Sequence, residues 1–573
     1  MPALSGVTMD FTDGNLGVAV PGPGGAQANI GVSLGGTELE PVSLGNTTTV
    51  GQTLLGGPLC DCCAQLTSAA GVPAIAVPCA IITAGAIASL AGSAGAFTHT
   101  GTGTGTVTAT IAPHQIVKAK CVTGGTLSTA TFQFSVNNGA YGTIFTSTAT
   151  SWPKRVPGTF CVLTFAAATY RAADVYTFNT DGTVDRTAGA PDTVTAASSP
   201  VDAYDVLVTI TTAGARGTAQ FTVSLDGGAV TETTIVTAAT YVVPGTGIVL
   251  AFTGTSDAYV VDDTYEALCT PPATNNTQIG LALDALQASS LQWEIAHVVG
   301  TPANAADAAT LATAVDLKMT AMALVNKFKA IVTECPGKTN TVDTDAVVAA
   351  AFVSVSSAKG RVWVALDWCD LISPLTGLTL KRSVAWPFCA RTGATRLCES
   401  PGKVKLGGVK NVRAIYRDEQ ANPGMVAARF ICLRTRDGKP GFFFERHPTM
   451  APAGSDYSRS MNVRVINLAA TIAAAAYVEE VANDLRADKT TGFIDERDAQ
   501  RIDANVTGQL RAQMIGSPGT ANDQCSDVTS QVGRADNISS TETMTAIVQV
   551  LPKNYPSYIS CSIGFVNPAL QAA

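Results

Sequence analysis

Paired acids and a glycine run are the residues of this sequence that most resemble a site for chemistry. Asp367 and Asp370 follow a predicted buried strand, where ligands of parallel sheets bind and paired carboxylates can hold a metal or transfer protons. No set of His or Lys residues accompanies them, which favours helix capping or ion pairing. The run Gly101–Gly105 resembles a phosphate loop, but no strand-to-helix turn follows it, so it predicts a linker. We expect no enzyme activity and no cofactor.

The 14 cysteines are compatible with a metal site, with disulfides or with free thiols. Cys60, Cys62 and Cys63 are close enough to share a metal, yet no second Cys or His pair follows at zinc spacing and the four histidines are isolated. We therefore expect no metal. Free buried thiols and disulfides, within or between chains, both stay open. The candidate disulfide cysteines are Cys60, Cys62, Cys63, Cys79, Cys121, Cys161, Cys269, Cys525 and Cys561.

Charge is scarce and unevenly distributed along the chain. Charged residues make up 14% of the sequence, against about 25% in an average globular protein. The net charge is −8, but residues 381–470 carry 16 Lys and Arg against 6 acids. This basic segment predicts internal ion pairs or contact with an acidic protein surface, and its scattered cations argue against nucleic acid. The candidate contact residues are Arg413, Arg417, Arg429, Arg434, Arg436 and Arg464.

No segment predicts membrane insertion or secretion. The first residues lack the basic and apolar regions of a signal peptide. Residues 74–97 are uncharged and long enough to cross a bilayer, but they consist largely of Ala, Gly, Ser and Thr, contain Pro78 and have no basic flanks. A buried strand over Val72–Ile82 that runs into a loop is the better interpretation.

An internal duplication lies in the first half of the chain. Three motifs recur at offsets of 87 to 89 residues: Phe132–Gly139 with Phe221–Gly228, Val156–Thr159 with Val243–Thr246, and Asp174–Tyr176 with Asp263–Tyr265. Alternating apolar residues and Asn-Gly or Asp-Gly turns in both copies predict β-hairpins. We expect two related β-modules that resemble small sandwiches.

Strands that alternate with helices after Gln278 indicate a largely parallel sheet, which the β-modules interrupt. The predicted fold is multidomain, with an α/β core, inserted β-sandwich-like modules and an α+β C-terminal domain. Its predicted parts are an N-terminal arm (1–40), the first part of the α/β core (41–95), β-module 1 (96–185), β-module 2 (186–270), the second part of the core (271–402), the C-terminal domain (403–545), and a C-terminal strand and arm (546–573).

Periodicity also predicts individual elements in the second half. The predicted helices are 305–328 after the capping residue Asn304, 343–356, 457–485 and 495–514. The predicted strands are 293–299, 329–333, 361–367, 426–434, 441–445, 543–551 and 558–565, with a hairpin turn at Asp437-Gly438.

A series of motifs in the C-terminal third resembles a known family. In chain order they are Tyr416–Gln420, Arg429-Phe430, Leu433–Gly438, Gly441–Phe444, Met450–Tyr457, Arg464-Val465, Gly492–Asp498 and Ile563–Asn567. This order resembles the C-terminal domain of the sheath proteins of contractile phage tails and related injection machines. The stretch Pro41–Ala80 is weakly similar to the start of the sheath core.

The resemblance implies a structural role in a virion. Sheath subunits form stacked hexameric rings around an inner tube, exchange strands through their terminal arms, and contract to drive the tube through the host envelope for genome ejection. The implied partners are further copies of the chain, the tail tube protein, and baseplate and tail terminator proteins. The subunits would be assembled in the host cytoplasm. The resemblance implies that the basic segment meets the tube and that the β-modules face outward.

Two other classes of protein fit parts of the sequence. A virion-surface or secreted β-rich adhesin or decoration protein would suit the duplicated modules, but not the α/β core. An enzyme with carbohydrate-binding modules would need a carboxylate pair in an aromatic cleft, and the chain has only five Trp.

Overall fold

The structure is a computed structural model. It describes residues 25–89, 98–100, 107–111, 117–126, 128–136, 139–147, 151–156, 162–166, 169–170, 172–173, 175–178, 184–186, 194–197, 200–252, 259–337, 344–481, 483–556 and 559–561. The chain divides into two compact units, residues 1–464 and residues 465–573.

The first unit begins with one part of an α/β core. Its elements are β1 Gln27–Gly31, β2 Val42–Leu44, α1 Thr47–Leu54, α2 Pro58–Ala70 and β3 Ala74–Pro78. Helix α1 begins after Asn46, whose side chain accepts a hydrogen bond from the Thr49 N–H, as an N-cap requires.

An all-β insertion follows, entered through β4 and left through β22. Its strands are β4 Ala86–Ser89, β5 Thr98–Thr100, β6 Val107–Ile111, β7 Val117–Thr123, β8 Gly125–Thr126, β9 Thr131–Val136, β10 Phe145–Thr146, β11 Ser151–Arg155, β12 Val162–Ala166, β13 Thr169–Tyr170, β14 Val175–Phe178, β15 Val184–Arg186, β16 Val194–Ala197, β17 Tyr204–Thr212, β18 Gln220–Ser224, β19 Ile235–Val236, β20 Thr240–Val243, β21 Ile248–Phe252 and β22 Thr264–Thr270.

The chain then returns to the core and continues into the second unit. The core elements are α3 Asn276–Ala288, β23 Ile295–Val298, α4 Ala305–Leu324, β24 Ala330–Cys335, α5 Asp345–Ala351, β25 Val362–Leu366, β26 Trp368–Ile372, β27 Thr379–Ser383, α6 Ala385–Gly393, a short 3₁₀ helix Val404–Leu406, β28 Val412–Ile415, β29 Phe430–Ile431, β30 Leu433–Arg436 and β31 Lys439–Phe444. Helix α7 Ser460–Val478 crosses the boundary between the units, and α8 Glu496–Met514, β32 Cys525–Val532, α9 Ile538–Thr541 and β33 Ala546–Pro552 complete the second.

A seven-stranded sheet in the order β2-β3-β1-β23-β24-β25-β29 forms the centre of the core, parallel except for β2. One apolar cluster packs α3, α4 and α5 against one side of this sheet, and a second packs α1, α2 and α6 against the other. Helices on both sides explain why strands such as β1, β3 and β25 are buried along their whole length. The predicted α/β core with a parallel sheet is therefore present.

Strand β1 corrects the predicted N-terminal arm. The predicted arm covers residues 1–40, but within it Ala28 pairs with Ile75 on one side and with Ala296 on the other. Because β1 has a partner at both edges and helices over both faces, its five residues are buried. Only residues 1–24 of the predicted arm lie outside the described residues.

Several predicted elements are present with shifted ends. Helix α4 begins after Asn304, whose side chain accepts the Asp307 N–H, and it stops before Asn326, which is in the left-handed region at φ 59°. The strand predicted over 426–434 divides instead. Phe430 and Ile431 join the core sheet, whereas Leu433 begins the hairpin that turns at Asp437-Gly438. Of the strand predicted at 558–565, the structure describes only residues 559–561, which are not in a strand.

The two halves of the insertion repeat one another in three dimensions. One half contains a sheet in the order β10-β9-β7-β14-β15, and the other contains β19-β18-β17-β22 in the equivalent order. Phe132 packs against Phe165 with ring centroids 4.3 Å apart and the rings tilted by 43°, and Phe221 packs against Phe252 at 4.6 Å with a tilt of 44°. The predicted division between the modules is wrong in detail, because residues 185 and 186 both lie inside β15. The run Gly101–Gly105 lies outside the described residues.

Helix α7 is long and apolar enough to cross a membrane by length and composition alone. In the structure 44% of its most apolar 18-residue stretch is buried, and the core helices of globular proteins can have the same length and composition.

Candidate assembly interface

A two-stranded antiparallel sheet of β32 and β33 closes the C-terminal unit. Val528 pairs with Val550, and Val532 pairs with Ala546. Val528 and Val532 are each 1% exposed, because one face of β32 packs against the unit. This sheet is small, so the state of its two edges determines whether it can accept another strand.

Helix α8 covers the outer edge of β32. Asp503 Oδ1 accepts the N–H of Val532 at 2.7 Å, Thr507 Oγ1 accepts the N–H of Ser530 at 3.0 Å, and the Arg511 side chain donates to the carbonyl of Val528 at 3.2 Å. These side chains occupy the backbone groups that a further strand would need. The β32 edge is therefore closed.

The outer edge of β33 is open. Because Ser530 and Val532 turn their N–H groups to α8, the alternate residues of β32 face β33, opposite Gln549 and Ile547. In β33 this leaves the N–H and carbonyl groups of Val548 and Val550 directed outward. Throughout the described part of the chain, β33 pairs with β32 alone.

The side chains of β33 also indicate a sheet that lacks a further strand, because they are uncharged and remain unburied. None of the seven residues, Ala546 to Pro552, is charged or buried, and Ile547 and Leu551 are 67% and 57% exposed. Edge strands that remain solvated are commonly protected by Lys residues, bulges or inward-pointing charges. An uncharged apolar edge with free backbone groups is a template for strand addition.

Most of the predicted contact arginines have partners in their own chain. Arg464 bonds Glu294 through two nitrogens, at 2.5 and 3.0 Å, and is 2% exposed. Arg417 pairs with Asp345 at 3.0 Å and also with Glu419.

Three further arginines lie at strands β28 to β31. Arg434 and Arg436 share Glu445, the second at 3.4 Å. Arg429, at φ 75°, donates to the carbonyls of Phe352, Val355 and Met450. Internal pairing thus accounts for these side chains, as the alternative interpretation expects. Contact with another chain stays a prediction, and Arg413, exposed on β28, is the best placed for it.

The described cysteines lie almost entirely in the core. Twelve of the thirteen are buried, and Cys561 is exposed. Burial raises the pKa of Cys60, Cys79 and Cys269 to about 12, so these thiols are neutral. No disulfide joins any two cysteines that the structure describes, and the candidate Cys161 lies outside that set.

One buried cluster was not predicted from the sequence. Cys62 Sγ lies 3.4 Å from His297 Nδ1, and His297 Nε2 lies 3.1 Å from Glu334 Oε1. The order thiol, imidazole, carboxylate resembles that of cysteine hydrolases. Here each member is at most 3% exposed, and burial raises the pKa of Cys62 well above its usual range. A neutral thiol closed off from solvent is suited to core packing, not to attack on a substrate.

A second unpredicted cluster fixes the insertion to the core. The Arg382 guanidinium donates to both carboxylate oxygens of Asp202, each at 2.8 Å, and to Asp61 Oδ2 at 3.0 and 3.2 Å. Burial alone would lower the pKa of Arg382, but the two carboxylates raise it. Ser373 donates to the other oxygen of Asp61 at 2.5 Å. The cluster joins β27, α2 and the chain just before β17.

The acids singled out in the sequence do not assemble a site. Asp367 follows β25 at the carboxyl end of the parallel sheet, as predicted, and is 6% exposed in a left-handed conformation at φ 75°. Its Oδ1 accepts the N–H of Trp368, and Asp370 lies within β26. Among the described residues, no three His, Cys, Asp or Glu side chains are placed to hold a metal ion.

Comparison with solved structures finds contractile sheath proteins. The crystal structure of the sheath tail protein from Desulfitobacterium hafniense is 10% identical, aligns with 96% of this chain and 100% of its own, and has a TM-score of 0.37. The sheath tail protein from Listeria innocua is also 10% identical, with coverage of 92% and 95% and a TM-score of 0.39. The sheath complex of an extracellular contractile injection system in its contracted state aligns with 50% of this chain and 75% of its own at 12% identity, with a TM-score of 0.34.

These are the kind of protein that the sequence resemblance predicts. No curated protein matches the chain. The family model described as DUF2586, N-terminal domain, matches residues 4–447.

Proposed function

The chain belongs to the DUF2586 family, and from that premise we propose that it is the sheath subunit of a contractile tail. In this proposal the subunits polymerise as stacked hexameric rings around a tail tube and contract to drive it through a host envelope. The observation that carries the proposal is the open β33 edge, with its outward backbone groups and exposed Ile547 and Leu551. The motifs of the C-terminal third support it independently.

Strand addition at β33 is the proposed link between subunits. The donor would be a terminal segment of another copy, residues 1–24 or 562–573, which are rich in small and apolar residues and contain only two acids, Asp10 and Asp13. A net hydrogen bond contributes about 1 kcal/mol, and burial of an exposed Ile or Leu about 2 kcal/mol. One such junction is weak, so a lattice in which every copy both gives and receives a strand is needed for stability.

The remaining partners follow from the same proposal. The basic segment, through exposed residues such as Arg413, would contact the tail tube, and the ends of the lattice would meet baseplate and terminator proteins. Neither nucleic acid binding nor membrane insertion is part of the proposal, and the assembled subunit would belong to the virion or a related particle.

Negative-stain microscopy of the purified chain tests the proposal. We expect tubular polymers from the wild type and discrete particles from Val548→Pro, because proline removes an outward N–H without removing a bond between β32 and β33. Val548→Thr is the matched control, since it keeps the N–H and a β-branched side chain, and it should polymerise. Circular dichroism and thermal unfolding establish that both variants fold. A wild-type chain that stays discrete, or a Val548→Pro variant that polymerises equally well, contradicts the proposal.

A further inference from the structure

Two strand pairs of the insertion come from equivalent places in the two sequence repeats. Strand β6 begins at Val107 and β16 begins at Val194, an offset of 87 residues. Both strands include the last three residues of the same tetrapeptide, Thr-Val-Thr-Ala, which occurs at 106–109 and at 193–196. Strands β5 and β15 precede them at a similar offset. Each repeat therefore opens with two consecutive short strands, β5 and β6 in the first repeat and β15 and β16 in the second. These two strands are called the opening strand pair of the repeat, although in the sheets that the structure describes they do not hydrogen-bond each other.

The β-sheet partners of these opening strands belong to the other repeat. Strand β16 pairs with β12 of the first repeat, with Val194 opposite Phe165. Strand β6 pairs with β21 of the second repeat, with Val107 opposite Phe252. Phe165 and Phe252 are themselves 87 residues apart, so the two pairings have the same register.

The neighbouring strands follow the same rule. Strand β15 pairs with β14, with Arg186 opposite Tyr176, and β5 pairs with β22, with His99 opposite Tyr265. Tyr176 and Tyr265 are equivalent in the duplicated motif. Four strands in two separate places thus reproduce one exchanged arrangement.

We propose that the insertion is a single unit closed by reciprocal strand exchange, in which the opening strand pair of each repeat completes the sandwich of the other. Chain connectivity gives the physical reason. The body of the first module is followed by β15–β16, which can fold back on it, whereas β22 leads directly to α3 of the core. The second module can be completed only by strands that precede the first.

The exchange has a consequence for how the insertion behaves. The buried face of β21, with Ile248, Leu250 and Phe252 at most 1% exposed, belongs to a module whose sheet is completed by residues about 140 positions earlier in the chain. The chain enters through β4 and leaves through β22, and these strands pair, with Ala86 opposite Thr270. The insertion therefore holds both modules as one closed body, not as two independent units in series. This inference does not depend on the proposed function.

Crosslinking of paired cysteines in the full chain tests the exchange. Thr108 lies opposite Ala251, and Thr164 lies opposite Thr195. Two double variants place cysteines at these opposed positions, Thr108→Cys with Ala251→Cys and Thr164→Cys with Thr195→Cys. After mild oxidation or treatment with a short bis-maleimide, we expect the two introduced cysteines of each variant to be linked to each other within one chain. The matched controls regroup the same four positions, Thr108→Cys with Thr164→Cys and Thr195→Cys with Ala251→Cys, and should keep both thiols free.

Peptide mass spectrometry identifies each link, and a denaturing gel separates links within a chain from links between chains. Links in the regrouped pairs would show that each repeat closes itself and would overturn the proposal. Links between two chains in the first two variants would show exchange between copies and would also overturn it. Folded variants with no link under either reagent contradict the pairing itself.

Discussion

Several of the buried ionisable side chains that the structure describes have more than one hydrogen-bond partner, and Glu334 is an example. Glu334 accepts from the Trp386 indole at 2.8 Å and from Thr301 at 2.6 Å, in addition to its contact with His297. Such partners offset the cost of removing a carboxylate from water. At the scale of single residues, these contacts explain why polar groups that look like catalytic candidates are held inside the core.

His447 is a buried residue with a defined effect on acid stability. Its Nδ1 lies 2.9 Å from Ser460 Oγ, and burial, with the charges of Arg459 and Arg464, lowers its pKa to about 3. An unfolded histidine titrates at about 6.5. Between these values only the unfolded chain takes up the proton, so the contribution to stability is complete above pH 6.5 and is lost as the pH falls toward 3.

The variant His447→Gln removes this titration. Between pH 7 and pH 5 we expect the wild type to lose about 2 kcal/mol more of its free energy of unfolding than the variant does. Urea unfolding at the two pH values measures the difference. Equal losses in the two proteins would show that His447 is protonated in the folded state.

At the scale of elements, two contacts determine what the strands can do. Side chains of α8 close the β32 edge of the β32–β33 sheet and leave the β33 edge open. In the proposed assembly another strand can therefore be added only beside β33. Arg382 on β27 joins α2 of the core to the chain just before β17, so the insertion is attached by a buried ion network as well as by its two chain connections.

Replacing Arg382 should weaken this attachment. In Arg382→Met the carboxylates of Asp61 and Asp202 stay buried without their cation, and we expect a loss of about 3–5 kcal/mol in the free energy of unfolding. The control Lys318→Met breaks the exposed pair with Asp284 and should cost less than about 1 kcal/mol. Denaturant unfolding measures both. A loss for Arg382→Met no larger than that of the control would show that the network is not needed.

At the scale of the whole molecule, cysteine content and burial are linked. The thiols occupy core positions in α2, α6, β24 and β32, where a small apolar side chain fits and where another chain cannot reach them. The high number of cysteines therefore does not require disulfides between subunits.

Alkylation of the native chain tests this distribution. With iodoacetamide near pH 8 we expect rapid modification of Cys561 and protection of the twelve buried cysteines, which should all react once the chain is unfolded. Peptide mass spectrometry reads each site, and Cys561→Ser should remove the fast reaction among the described thiols. Fast labelling of Cys60, Cys62 or Cys63 would show that α2 is open in solution.

Local patterns in the sequence were sufficient for many of the elements and for the repeat. Asn304 predicted the start of α4, Asp437-Gly438 predicted the turn between β30 and β31, and the duplicated Phe132 and Phe221 predicted two modules of one kind. Each of these features depends on residues close together in the chain, because helix caps, hairpin turns and strand alternation are set by neighbours. The resemblance of the C-terminal third was likewise visible in the order of its motifs.

Long-range pairing was decided only in the tertiary structure. The sequence around Gln27–Gly31 has no feature that distinguishes a central strand from an arm, and its position follows from partners at Ala74 and Ile295. The same is true of the exchanged strands, of the Arg382 network and of the meeting of Cys62, His297 and Glu334. Residues from separate elements come together only when the whole sheet is built, since the free energy that joins them comes from burying all of its faces at once.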